Sequence, residues 1–501
     1  VAHDPGPRPP ADLDSARRGD RAAEAERPFQ LSAGDRERLA GRLKLAVERS
    51  RRSGVQTLAT ISVALAADVD PSAVVCASRR PGEPWFTFEQ PERGKAALAG
   101  LGQVATLQAR GTARFATVAE RWRALSASAV CDPAGDPEGG GPVAVGGFAF
   151  APEGGGSPHW EGFEPASLTV PEIAMTRRHG AGERHVRLTL AACASADDLP
   201  EDLLARLESR VAELQTTPLP LLDPAPTGRF QVASGMPPEH YEGAVARAVE
   251  LIRSGELQKI VLAREVQVHA PGDYDPAAVF GVLRAEFPSC FVLCIGRGEA
   301  TLVAASPELL VRREGQRVST LALAGSTRRS ADPAVDDHLG ERLLRDASYR
   351  EEHEIVARRI ERILRPHSIW VAAAPEPELV RIANIQHLAT PIRAQLTRPI
   401  EALELAGLMH PTPAVGGEPW RRAAPLIPAL EGLDRGWYSG PVGWTDGAGD
   451  GEFCVALRCA LLRGNVARCL AGNGIVRDSD PAAELAETEI KLQALLPLLT
   501  G

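Results

Sequence analysis

The chain has 501 residues, 44% hydrophobic and 24% charged, with a formal net charge of −9 and a pI near 5.8. The excess of acid gives no electrostatic footprint for nucleic acid or a membrane surface. No apolar run is long enough to span a bilayer. The eight cysteines are scattered, with no CxxC pair and no Cys/His cluster at zinc spacing. Cys290 and Cys294 read as small buried hydrophobes, and the absence of a signal-peptide h-region points to a cytoplasmic protein.

Residues 1–28, rich in Pro, Ala, Asp and Arg, lack apolar periodicity and read as a disordered tail. Leu31 to Arg52 reads as a helix, with Ser32 as a possible N-cap. Thr57 to Ala66, Ala73 to Ser78, Pro84 to Phe88, Val104 to Arg110 and Arg114 to Phe115 read as strands. A helix follows from Val118 to Ala127, then a Gly- and acid-rich loop from Gly135 to Gly141. Val143 to Phe150, Ser167 to Met175 and Glu183 to Ala192 read as strands, and Leu199 to Gln215 as a helix. Thr216 to Pro226, dense in Pro and Thr, marks a seam between a 29–225 half, expected to be α/β, and a 226–501 half. These halves need not be independent domains.

The second half is better patterned. An amphipathic helix from about Pro238 to Ser254 stops at Gly255 and leads into a buried strand from Lys259. Asp332 to Leu364 reads as one long helical region. Gln386 to Gln395 and Tyr438 to Trp444 read as extended, and Trp420 to Leu430 and Pro481 to Leu498 as helical. Strands and helices mix without strict βαβ alternation, so the expected class is α+β with mostly antiparallel sheets.

Candidate chemistry sits on several of these elements. The chain has only four lysines, Lys44, Lys95, Lys259 and Lys491, among 56 basic Lys and Arg residues. A partly buried lysine can lose its proton, whereas arginine cannot, so Lys259 at the mouth of a strand is either a titratable amine or a surface ammonium. Glu352 shares a helix face with Tyr349 and Val356, while Glu484, Glu487 and Lys491 form one stripe at i, i+3 and i+7. Glutamates from two facing helices would make a hard oxygen site suited to Mg²⁺; otherwise these are solvated faces. Glu308, after a strand and a turn, is a candidate general acid or a solvent-facing carboxylate. The loops at Gly325-Ser326 and Gly472-Asn473-Gly474 offer backbone N–H groups to an anion. His387 sits on a strand and reads equally as a core histidine. Arg458, alone in an apolar stretch, needs an anionic partner.

Together and in this order, several segments resemble the chorismate-utilising enzymes. They are Gln258-Lys259-Ile260-Val261-Leu262-Ala263-Arg264, Ser306-Pro307-Glu308, Leu323-Ala324-Gly325-Ser326, Glu352-His353, Gln386-His387-Leu388, His410-Pro411-Thr412-Pro413-Ala414, Tyr438-Ser439-Gly440, and Glu487-Thr488 with Lys491. The resemblance is strong from Tyr241 to Leu498 and weaker before it. It implies an anthranilate synthase component I-like fold, with large antiparallel sheets packed as a sandwich and helices outside. It makes residues 226–501 the chorismate-binding catalytic region.

Within that family, a lysine at 259 suits water as nucleophile, where ammonia-using members carry glutamine. Ala324 lacks the nucleophilic amine of the aminodeoxychorismate type. Ala414 stands where pyruvate-eliminating members commonly have threonine. The resemblance therefore implies an isochorismate synthase, with salicylate synthase or a non-catalytic chorismate-binding paralogue as alternatives. It implies Mg²⁺ held by Glu352 and Glu487, with Glu484 ordering metal-bound water. Lys259 would be the base, neutral by desolvation and nearby positive charge, and Glu308 the acid. Gly325, Ser326, His387, Tyr438, Arg458, Gly472 and Lys491 would contact substrate. No glutamine amidotransferase subunit is expected, and the chain should be a monomer or homodimer. The long N-terminal half is more similar to the menaquinone-type members than to those serving siderophores. Two departures from the family pattern, Tyr349 and Asn473, are expected to leave the acid, base and ligands untouched.

Overall fold

A computed structural model describes residues 29–132, 140–180, 183–223, 227–382 and 384–500. The expected N-terminal tail and most of the 135–141 loop lie outside the described residues, as does the end of the Pro-rich seam.

Two large sheets form the molecule, of twelve and ten strands among the described residues. The first runs in the order Thr57–Leu65, Glu183–Ala194, Ile173–Gly180, Ala96–Leu101, Trp85–Gln90, Phe291–Arg297, Ala300–Ser306, Cys459–Arg463, Val466–Ile475, Lys259–His269 and Gly417–Glu418. The second joins Ile385–Leu396, Arg317–Arg328, Leu309–Glu314, Gly451–Val455, Pro441–Asp446 and Val143–Phe148, among others. Neighbouring strands pair antiparallel, as expected for an α+β chain. Both sheets draw strands from either side of the Pro-rich seam.

The sheets pack face to face. Phe86, Leu293 and Leu302 of the first meet Val145, Val442 and Cys454 of the second in one buried cluster. Two further clusters lie under the outer helices, one joining Leu39, Leu43, Leu207 and Phe280 to the first sheet. Burial of this kind, about 25 cal/mol per Å² of apolar surface, is the main stabilising term of such a sandwich. All eight cysteines are free, and Cys290 and Cys294 are buried.

Several local readings are corrected. Ser167 to Met175 is two strands, Ala166–Val170 and Ile173–Gly180, and the closing helix is Pro481–Leu492 followed by Leu496–Thr500. The glycine segments at 325–326 and 472–474 lie within strands Arg317–Arg328 and Val466–Ile475, not in loops. Ala73 to Ser78 is not a strand: Pro71–Ser78 is a helix, capped by the Asp70 side chain accepting from Ala73 N–H. Arg114 and Phe115 open the helix Arg114–Ala127 instead of forming a strand. The long helical region is two helices, Pro333–Arg345 and Ala347–Leu364, split at Asp346, whose carboxylate accepts from Ser348 and Tyr349 N–H and caps the second.

Candidate active site

The chain crosses between the sheets twice at the site. Strand Ala300–Ser306 of the first sheet passes through Pro307 and Glu308 into Leu309–Glu314 of the second. Strand Gly451–Val455 of the second passes through Ala456, Leu457 and Arg458 into Cys459–Arg463 of the first. The crossings are bonded together: Val455 N–H donates to Glu308 O at 3.0 Å, and Ala305 N–H to Arg458 O at 3.1 Å. Arg458 therefore lies between strands, in the left-handed region at φ 48°, not within one strand as the sequence suggests. Ser439, at φ 62°, is another non-glycine residue in that region, and it joins this junction through its N–H to Ala456 O at 2.8 Å. Backbone conformations of this kind cost roughly 1–3 kcal/mol and cluster at working sites.

A cavity of about 600 Å³ opens beside the crossings. Glu308, Gly325, Ser326, Glu352, His387, Tyr438, Arg458, Gly472, Glu484, Glu487 and Lys491 all line it. Lys259 stands behind this wall. It is 1% exposed, so it is no surface ammonium, and its Nζ meets Glu352 Oε1 at 2.8 Å. The neighbour the fold gives this amine is thus a carboxylate, where the sequence reading had positive charge. Gly474, not singled out individually in the sequence, makes the contact possible. A Cβ there would lie 2.3 Å from Glu352 Oε1 and 2.6 Å from Lys259 Cε.

Glu308 is 3% exposed. Burial pushes its carboxyl up to about 8, with Lys259 and the Thr412 hydroxyl pulling it partly back. At neutral pH the carboxyl therefore holds its proton. Glu484 is pushed up to about 7, first by burial and then by the charges of Glu487 and Glu352. Burial acts on Glu487 too, but Lys491 and Ser326 outweigh it and hold that carboxyl below its ordinary range. Ser326 Oγ donates to Glu487 Oε1 at 2.6 Å, and Lys491 Nζ lies 2.8 Å from the same oxygen.

Gly325 sits in a β-bulge between Ala324 and Ser326 at φ 72°, a conformation glycine adopts without cost. Its carbonyl accepts from His387 Nδ1 at 3.3 Å, while His387 Nε2 faces Arg458 Nη2 at 3.2 Å. Arginine can only donate, so Nε2 accepts and Nδ1 carries the hydrogen. Burial, then Arg458 and Lys491, push His387 well below the ordinary histidine value, and the ring is neutral.

Glu352, Glu484 and Glu487 face one cavity from two helices, and Glu484 feels repulsion from the other two. Among the described residues no three His, Cys, Asp or Glu side chains gather at ligating distance. Mg²⁺ does not require such a cage. One or two carboxylates, waters and a substrate oxygen suffice, so the donor set fits that ion.

Neither departure from the family pattern stands apart from the site. The Tyr349 phenol lies among the charges of Glu487, Glu484 and Glu352, and Asn473 hydrogen-bonds both Lys491 and the Glu484 backbone.

Comparison with known proteins defines the class. The family profile described as "Chorismate binding enzyme" matches residues 45–500. The chain belongs to this family. A salicylate biosynthesis isochorismate synthase of Pseudomonas aeruginosa is 39% identical over 443 residues, covering 86% of this chain and 88% of its own. The structure of the menaquinone-specific isochorismate synthase MenF from Escherichia coli superposes with a TM-score of 0.73 at 27% identity, covering 91% of this chain and 99% of that one. Anthranilate synthase component I from Streptococcus pneumoniae shares the fold, with a TM-score of 0.57 at 24% identity over 72% of this chain and 80% of its own.

Proposed function

We propose that this chain is an isochorismate synthase, an isomerase that adds water at C2 of chorismate as the 4-hydroxyl departs. The observation that carries the reading is one cavity lined by the buried carboxyl of Glu308 and by Glu352, with the buried Lys259 amine directly behind it, 2.8 Å from Glu352 Oε1. The names of the relatives above support it.

The reaction balances as one water in and one water out. Lys259 is the base that takes a proton from the attacking water. Glu308 gives its proton to the leaving hydroxyl. Each of these terms is worth on the order of 10²–10⁴ in rate. In this structure Lys259 is paired with Glu352. Glu352 and Glu487 are the residues that would hold Mg²⁺, with Glu484 beside them. Bound there, the ion would supply Lewis-acid polarisation of the ring carboxylate. Arg458, Tyr438 and the Gly472 backbone would bind the enolpyruvyl carboxylate, with His387, Gly325, Ser326 and Lys491 completing the wall. The absence of a long apolar helix among the described residues is consistent with a soluble small-molecule enzyme.

The test is product analysis by chromatography after incubation with chorismate, with and without Mg²⁺. Isochorismate formed only with Mg²⁺ is the expected result. Salicylate and pyruvate would make the chain a salicylate synthase, and binding without turnover would make it a non-catalytic paralogue.

A further inference from the structure

Asn473 lies between two glycines on strand Val466–Ile475 and is 2% exposed. Its side-chain amide is used at both ends. Nδ2 donates to the carbonyl oxygen of Glu484 at 2.6 Å, and Oδ1 accepts from Lys491 Nζ at 2.6 Å. These partners fix which end of the amide is oxygen, because an ammonium only donates and a carbonyl only accepts. Lys491 Nζ also donates to Gly472 O at 3.1 Å and meets Glu487 Oε1 at 2.8 Å. An ammonium has three N–H bonds, and all three are thus engaged within the chain.

The consequence is geometric. Glu484 is in the first turn of helix Pro481–Leu492 and Lys491 in its last. One side chain on the strand therefore grips the helix at both ends. Between those grips lies Glu487, held through Lys491 on one side and Ser326 on the other. Rotation of the helix about its axis would break the Asn473 bonds.

We propose that Asn473 is a positioning residue that sets the acidic pair Glu484 and Glu487 for a divalent cation, acting in part through Lys491. The proposal rests on the reading that these carboxylates take part in holding Mg²⁺. Groups that orient metal ligands typically cost 10–100-fold in metal affinity when removed.

The experiment is calorimetric titration of Mg²⁺ into the full chain without chorismate, for the wild type, Asn473→Ala, Lys491→Met and the double variant. Asn473→Ala should weaken Mg²⁺ binding about 10-fold, the lower end of that range. In the Lys491→Met background the same change should have a clearly smaller effect, because coupled residues are non-additive. Affinity within twofold of wild type, even with a lowered Tm, would leave Asn473 merely structural and overturn the proposal. So would strictly additive effects. If Asn473→Ala does not fold, the uncharged Asn473→Ser, too short to reach both the Glu484 carbonyl and Lys491, must also weaken binding. No Mg²⁺ binding by the wild type would instead overturn the metal reading on which the proposal rests.

Discussion

Lys259 Nζ lies 2.8 Å from Glu352 Oε1, so the amine of the first sheet and the carboxylate of the Ala347–Leu364 helix meet at the edge of the cavity. Removal of one partner from a buried pair leaves the other uncompensated. Replacement by Lys259→Ala should therefore abolish turnover, with a loss of at least about 10²–10⁴-fold, while chorismate still binds. Chromatographic rates together with calorimetry of chorismate binding check this. Full activity in the variant would remove Lys259 as the base.

Gly474, near the end of strand Val466–Ile475, has a sharper role than the sequence suggests. A methyl group there would overlap Glu352 Oε1 at 2.3 Å, Lys259 Cε at 2.6 Å and Lys259 Nζ at 2.9 Å. Gly474→Ala should displace the pair and lower kcat by at least about 10-fold, since small misplacements of reacting groups can cost 10²-fold. The Tm should fall by a few degrees at most, because the clash is with the ends of two side chains. Steady-state kinetics and thermal unfolding decide it, and unchanged kcat would show that the contact is not needed.

The high value at Glu308 has two consequences for pH. As a general acid it must be protonated, so kcat/KM should decline as pH rises through about 8. Its folded value lies above the unfolded one, near 4.5, so the folded state binds the proton more tightly. That contribution to stability is fully present below about 4.5 and is lost as pH rises through about 8. In Glu308→Gln, turnover should fall about 10²–10⁴-fold. The Tm of that variant should gain on wild type steadily between pH 5 and 9. A constant Tm difference across that range would show that Glu308 is not the titrating group.

Much of this was legible in the residues, for physical reasons that also explain the failures. Ser32 does cap its helix, accepting from Asp35 N–H at 3.1 Å, and Gly255 does follow the helix end, at φ 83°. Caps and left-handed glycines are local chemistry, and a sequence displays them directly. The Pro71–Ser78 helix was misread because all but one of its residues are buried, leaving no polar face to set a period. Asp70 before Pro71 was the signal that a cap was present. The stripe of Glu484, Glu487 and Lys491 followed from helical spacing, but its facing Glu352 across a cavity did not. That placement depends on two sheet crossings at Glu308 and Arg458, and nothing local in the residues there distinguishes a change of sheet from an ordinary turn. Asn473 stands out in the sequence as a departure from the family pattern, but its role does not, because its partners are a backbone carbonyl and a lysine 18 residues away.

Arg458 and His387 make a pair whose proton positions are determined by donor chemistry, and this gives a last expectation. The imidazole receives Arg458 at Nε2 and donates from Nδ1 to Gly325 O, leaving the remaining guanidinium N–H groups for a carboxylate in the cavity. Lysine in place of arginine has no fork and cannot serve both. Hydrogen bonds to charged groups are worth about 1.5–3 kcal/mol, so Arg458→Lys should raise KM for chorismate about 10–100-fold with a smaller change in kcat. His387→Asn can still donate toward Gly325 O but offers Arg458 a poorer acceptor, and it should raise KM less than Arg458→Lys does. Because burial keeps the His387 ring neutral, the pH profile of His387→Asn between pH 5 and 8 should keep the wild-type shape. A lost limb in that interval, or a collapse of kcat at unchanged KM, would make His387 a proton carrier and not a substrate-orienting group.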